Sequence, residues 1–296
     1  MGYPEPMDDQ GGSAVPTLSS LARESFYRLF ADEAIPLAGN IAFRSLFSVF
    51  PFLIFLTALG GFFGNEALAQ SIVDYLLSVA PEELVKPLAG EIRSILTVPR
   101  TGLLSLSALL TIWSAMAGVD SVRVGLNRAY DLREDRSIWV LYLQNVLFVI
   151  GSAVLLLTVA LLLVFAPVGI AIINAHAPEL QASFSTLEQV RLPIAILLLT
   201  AGLLICHRVL PAKQLRVLEV LPGVILTVIV WIALSSAFSY YLVNFNTFAS
   251  TYASLSGLFA MMFFLYLAAL VLILGGEVNR VIEVRRATRI ERTEEV

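Results

Sequence analysis

One cysteine and two histidines in 296 residues leave little material for several kinds of chemistry. Cys206 alone cannot form an intrachain disulfide, and inside an apolar run it reads as a small core residue. His176 and His207 are too few and too far apart for a histidine-rich metal centre. No glycine loop ending in Lys-Ser/Thr is present to cradle a nucleotide's phosphates, which excludes an ATP motor of that kind. His-Glu-x-x-His and His-x-His-x-Asp spacings are absent, as is a Gly-x-Ser-x-Gly nucleophile elbow. Catalytic residues, a metal site and a bound cofactor are therefore not expected. Charge is also scarce, at 14% of residues, where a soluble domain carries about 25%. The alternation of apolar and polar positions that marks a membrane β-barrel is missing.

What the chain does have is apolar length. It is 58% hydrophobic, with a mean hydropathy of +0.83. Six stretches, near 36–64, 102–124, 138–166, 190–210, 218–243 and 253–282, meet the requirement of about 20 mostly apolar residues for a spanning helix. The expected fold is all-α, a polytopic membrane protein with six transmembrane helices. Residues 1–17, rich in Gly, Pro, Ser and acid, read as a disordered tail and lack the basic start of a signal peptide. Residues 18–284 form one membrane domain, and 285–296 a charged tail. Leu18 to Phe30 reads as a short amphipathic helix at the membrane surface, with Leu21, Phe26, Leu29 and Phe30 as its apolar positions. Between the first two spans, Leu68, Ile72, Tyr75, Leu76 and Val79 make one helical stripe. Leu84, Leu88, Ile92 and Ile95 make another after Pro81, so two outer amphipathic helices are expected there.

The basic residues set the orientation. Fourteen of the nineteen lie in the N-terminal segment, the 2–3 and 4–5 loops and the C-terminal tail; only Lys86, Arg93, Arg100 and Arg191 lie on the other side. The positive-inside rule then places both termini in the cytoplasm. The nineteenth is Arg44, inside the first span. A charge there costs about 2.5–3.5 kcal/mol on insertion scales, so it needs a partner or a wet cavity.

Polar constellations gather around it. Asn40, Arg44 and Ser48 share one helix face at i, i+4 and i+8, and Pro51 follows as a candidate kink. Asp120 stands near the inner end of the second span, and Glu277 and Arg280 one turn apart near the inner end of the sixth. A rise of about 1.5 Å per residue puts Arg44, Asp120 and Glu277 in the inner half of the bilayer, where they could meet. Arg44 is then a buried clamp paired with Asp120 or Glu277, a contact for an anionic group in a polar cavity, or a side chain snorkelling to the interface. Ser114, Gly118, Ser121 and Gly125 form a small-residue stripe suited to close helix packing.

Three stretches carry a resemblance. Asn40-Ile-Ala-Phe-Arg-Ser-Leu-Phe-Ser-Val-Phe-Pro-Phe-Leu resembles the first-helix signature of the YihY/BrkB family of bacterial inner-membrane proteins. Trp113-Ser-Ala-Met-Ala-Gly-Val-Asp-Ser-Val-Arg-Val-Gly-Leu-Asn-Arg-Ala-Tyr-Asp, ending in Glu134-Asp-Arg, is similar to its second. Tyr252-Ala-Ser-Leu-Ser-Gly-Leu with Gly275-Gly-Glu-Val-Asn-Arg is similar to its end. The chain departs from the family at Phe43-Arg44, commonly a Tyr pair, and at Ser256-Gly257, more usually Tyr-Gly. The resemblance implies a six-helix inner-membrane protein associated with envelope integrity and with movement of lipids or lipid precursors. Membrane lipids and envelope-assembly proteins are the partners it implies. An old ribonuclease label on some members conflicts with a chain that has no basic nucleic-acid face outside the membrane, so no nucleic-acid partner is expected. The leading expectation is handling of an anionic lipid or amphiphile, with a non-transporting scaffold as the alternative; a channel or a ribonuclease ranks lower.

Overall fold

A computed structural model describes residues 18–63, 101–165, 181–244 and 253–294, together with isolated positions between 66 and 97. Every regular element among the described residues is helical. These are α1 (Leu18–Ala31), α2 (Ala34–Phe63), α3 (Thr101–Ala129), α4 (Ile138–Ala160, continued by a π turn at Leu161–Phe165), α5 (Gln181–Val209), α6 (Val217–Asn244) and α7 (Ala253–Glu294). Six of them contain spans long and apolar enough to cross a membrane: Ala34–Leu59, Gly102–Ala129, Ile138–Leu163, Gln189–Val209, Val217–Tyr241 and Gly257–Arg289. All six expected segments are present. The tail expected to be disordered at 1–17 and the two outer amphipathic helices expected between the first two spans lie outside the described residues, isolated positions apart.

Two apolar clusters hold the bundle together, both near the ends of the helices that carry the basic residues. Leu126, Leu203, Leu210, Val220, Val224 and Leu272 join α3, α5, α6 and α7. Leu29, Ala34, Ala38, Ile41, Ala129, Ala269 and Ile273 join α1, α2, α3 and α7. Small residues bring the helices close. Gly125 faces Ile41 and Ile273, each within 3.3 Å of where a Cβ would stand, and Ser114 and Ser121 are buried on the same stripe. Outward, α4 presents Trp139, Leu143, Leu147, Ile150, Val154 and Leu157, all exposed. An apolar surface of that extent suits hydrocarbon rather than water.

Local geometry sets the breaks. Glu33 takes a positive φ of 57° between α1 and α2. Asp131, at φ 54°, closes α3: the Leu132 N–H returns to the Asn127 carbonyl in a Schellman-type cap. α2 runs on past Pro51, and α7 runs unbroken across residues 284 and 285 to Glu294, so the basic segment beyond 284 is helical. In α1 the apolar residues divide between two faces. Leu29 is buried inward with Ser25, while Phe26 and Phe30 pack edge to face at 5.1 Å on the exposed side.

Candidate functional site

Arg44 lies ten residues into α2, about 15 Å along the helix from Ala34. Its Nε donates to Asn40 Oδ1 at 3.2 Å and its Nη1 to the Ala117 carbonyl at 3.2 Å. Asn40 Nδ2 in turn donates to Ser121 Oγ at 3.4 Å, and Ser121 Oγ donates to Ala117 O at 2.9 Å. This small ring ties α2 to α3. The guanidinium has five N–H groups; among the described residues two find acceptors and none faces a carboxylate. The side chain is half-buried, and its helix neighbours Phe43 and Phe47 stack on one another, ring centroids 6.2 Å apart, on the exposed surface. Ser48 is not part of the ring: its hydroxyl donates to the Ser45 carbonyl at 2.7 Å.

The expected meeting of Arg44 with Asp120 or Glu277 does not occur. Asp120 accepts from Arg123 Nη2 at 2.5 Å, a partner three residues on along its own helix. Glu277 accepts from Arg28 Nε at 3.0 Å, so the arginine of α1 outcompetes the one in the span. Arg280 turns from Glu277 to Glu283 at 3.0 Å and Asp131 at 3.9 Å. Glu277 is fully buried, and among the described residues its Oε1 has no hydrogen-bond partner. Asp32 completes this group, 3.6 Å from Arg28 and 3.8 Å from Arg128. Burial raises its carboxyl above the ordinary range, against the pull of Arg28 and Arg128.

A second cluster centres on Glu134, in the turn between α3 and α4. Its carboxylate accepts from Arg123 Nη1 at 2.7 Å, Asn127 Nδ2 at 3.0 Å, and Arg136 Nε and Nη2, both at 2.7 Å. Arg136 also donates to the Leu210 carbonyl and to Gln144, whose amide donates to the Val209 carbonyl. The Ala212 N–H closes the link by donating to Asn127 Oδ1 at 2.7 Å. The end of α3, the start of α4 and the end of α5 are thus bound through one carboxylate. The hydrogen bonds from Arg136, with those from Asn127, hold its pKa down to about 2 against some burial.

A third set lies in the core. Asn279 Oδ1 accepts the Gly223 N–H at 2.6 Å, and its Nδ2 donates to the Val220 carbonyl and to Tyr130 Oη. Tyr130 Oη also shares a hydrogen bond with His207 Nδ1, 2.9 Å away. Burial pushes the Tyr130 phenol well above its usual pKa, so it keeps its proton. Tyr130→Phe strips His207 and Asn279 of a hydrogen-bond partner and is expected to cost about 1–3 kcal/mol, read as a lower unfolding midpoint in detergent. Sequence reasoning assigned no role to Glu134, Tyr130 or Asn279. Glu134 and Tyr130 fall within the second quoted stretch and Asn279 within the third, which was the available signal.

Fold and site together define a polytopic all-helical membrane protein whose polar side chains gather at the basic end of its bundle. The chain belongs to the BrkB family: a family model described as virulence factor BrkB matches residues 25–295. A ribonuclease-like protein, YfkH, of Bacillus subtilis (strain 168) is 27% identical over 267 residues, covering 90% of this chain and 96% of the relative. A UPF0761 membrane protein of Tolumonas auensis (strain DSM 9187 / NBRC 110442 / TA 4) is 33% identical over 81 residues, 27% of each chain. No solved structure matches the chain significantly.

Proposed function

We propose that this protein handles or translocates an anionic lipid or amphiphile in a bacterial inner membrane, with both termini cytoplasmic, and so supports envelope integrity. The observation that carries the reading is Arg44: a cation at membrane depth, half-buried at the α2–α3 seam, with neutral acceptors only among the described residues. A phosphate arriving from the bilayer offers the charge-assisted, bidentate partner that a guanidinium favours. Phe43 and Phe47 beside it offer acyl chains an apolar surface. The fourteen basic residues on one side support the orientation. The ribonuclease-like name belongs to the Bacillus relative; among the described residues, no three or more His, Cys, Asp or Glu side chains group for a metal.

The same geometry favours one other reading. Because Arg44 reaches the Ala117 carbonyl across the seam, it can serve as a clamp in a scaffold that transports nothing. Purified protein in vesicles distinguishes the two through transbilayer movement of a labelled phospholipid. Translocation predicts movement above protein-free vesicles, reduced about tenfold or more in Arg44→Ala and partly kept in Arg44→Lys, in line with about 1.4 kcal/mol per tenfold. The clamp predicts a lower unfolding midpoint in Arg44→Ala and no movement in the wild type, and this outcome ends the lipid-translocation reading.

A further inference from the structure

α1 is held to α7 by charge. Arg285 donates to Glu24 at 2.6 Å and to Ser20 at 3.1 Å, and Arg28 donates to Glu277. Between the two helices the Asp32 and Glu277 carboxyls meet at Arg28, 3.6 and 3.0 Å from its guanidinium nitrogens, and interact with one another. Each already faces Arg28, yet Glu277 Oε1, fully buried, finds no donor among the described residues. Two ionised carboxylates side by side repel, and an unsatisfied buried oxygen costs free energy. One proton removes both penalties, because a protonated carboxyl donates to its neighbour.

We propose that Asp32 and Glu277 bind one proton between them, and that this proton holds α1 in place against α7. The inference goes beyond lipid handling and holds whatever the amphiphile is. Among the described residues the charged surroundings of the pair come from α1, α3 and α7. Arg28 comes from α1 and Arg128 from α3; Tyr130 and Asp131 stand at the end of α3. α7 adds Arg280, which is engaged by Asp131 and Glu283. α2 carries no charged residue between Ala34 and Phe43, and Glu219 of α6 is taken by the Arg216 N–H. Arg28 gives its Nε to Glu277 Oε2 and turns its Nη2 to Asp32, and Arg128 faces Asp32, so among the described residues neither supplies the missing donor to Glu277 Oε1. α1 also packs against the start of the helix of Arg44, since Leu29 shares one apolar cluster with Ala34, Ala38 and Ile41.

The sign follows from linkage. The docked arrangement raises the proton affinity of the pair, so docking is firm at low pH and loosens as pH rises through the docked-state pKa. Ser25, fully buried on the inner face of α1, reports the docking. The experiment places Ser25→Cys in a Cys206→Ala background, reconstitutes the chain in vesicles and measures the maleimide labelling rate across pH. The same measurement with Glu277→Gln, whose amide supplies the donor permanently, cancels the intrinsic pH dependence of the thiol. The rate relative to Glu277→Gln is expected to climb about tenfold between about pH 6 and pH 9. Infrared spectra of the chain with native cysteine and serine supply the second readout. A buried protonated-carboxyl C=O band should vanish as pH rises and be absent from Glu277→Gln and Asp32→Asn. A rate ratio that stays flat or falls, or a wild type without that band, overturns the proposal.

Discussion

Replacing Glu134 with alanine is expected to destabilise the bundle by about 3 kcal/mol, the low end of what breaking a buried ion pair costs. The reason is the number of groups it serves. Among the described residues Arg123, almost fully buried, keeps Asp120 alone as an ionic partner, and Arg136 loses both of its carboxylate contacts. Asn127 loses an acceptor as well, and it positions the 210–212 turn through the Ala212 N–H. Glu134→Gln keeps an acceptor oxygen without the charge and should fall between alanine and the wild type. Acid reproduces the effect. With a folded pKa near 2, below the ordinary carboxylate value of 4.5, the ion pairs contribute fully above that ordinary value and are lost as pH falls toward 2. Unfolding midpoints in detergent, for wild type and both variants at neutral and acid pH, check the order; a Glu134→Ala midpoint equal to wild type contradicts it.

Alanine at Gly223 is expected to be at least as damaging, for a steric reason. A Cβ there runs into the Gly275 carbonyl and the Asn279 amide; one at Gly275 runs into Thr227 Oγ1, with the Gly223 carbonyl at 2.9 Å. These obstacles include backbone, which cannot rotate away, so α6 and α7 must separate. Separation breaks the Asn279 bond to the Gly223 N–H and the Trp231 indole bond to the Ala268 carbonyl, 3.0 Å long. Overpacking of this kind costs about 3 kcal/mol or more when nothing can yield. Gly39 and Gly151 supply the contrast, since a Cβ at either meets nothing within 4 Å. Alanine there should be neutral or stabilising by about 0.5–1 kcal/mol, from helix propensity alone. Comparable losses at all three positions contradict the packing account.

These costs lie where the sequence was hardest to read. Spans were legible because apolar length is a local property: the six segments expected from hydropathy are the six that form. The small-residue stripe on α3 was legible because its period is helical. Pairings across the bundle were not. Arg28 and Glu277 stand 249 positions apart, and nothing local favours that pair over Arg44 with Glu277. Asp120 shows the opposite competition, where a partner three residues on wins over one on another helix. Glu134 sits in a short nonhelical turn, where periodicity is silent, and its five donors come from α3 and its own turn. The charge of Arg44 drew notice from sequence alone; that its acceptors would be an amide oxygen and a backbone carbonyl depended on how closely α2 and α3 pack.

The central claim is that Arg44 answers to an anionic headgroup, and charge selectivity tests it most directly. Vesicles containing the protein are loaded with labelled phosphatidylglycerol or labelled phosphatidylcholine, and their transbilayer rates are compared for wild type and Arg44→Gln. The account predicts that wild type moves the anionic lipid about tenfold faster than the zwitterionic one, a difference of about 1.4 kcal/mol, and that Arg44→Gln brings the two rates together while remaining folded. Equal rates for both lipids in the wild type, or an unchanged preference in Arg44→Gln, would contradict it.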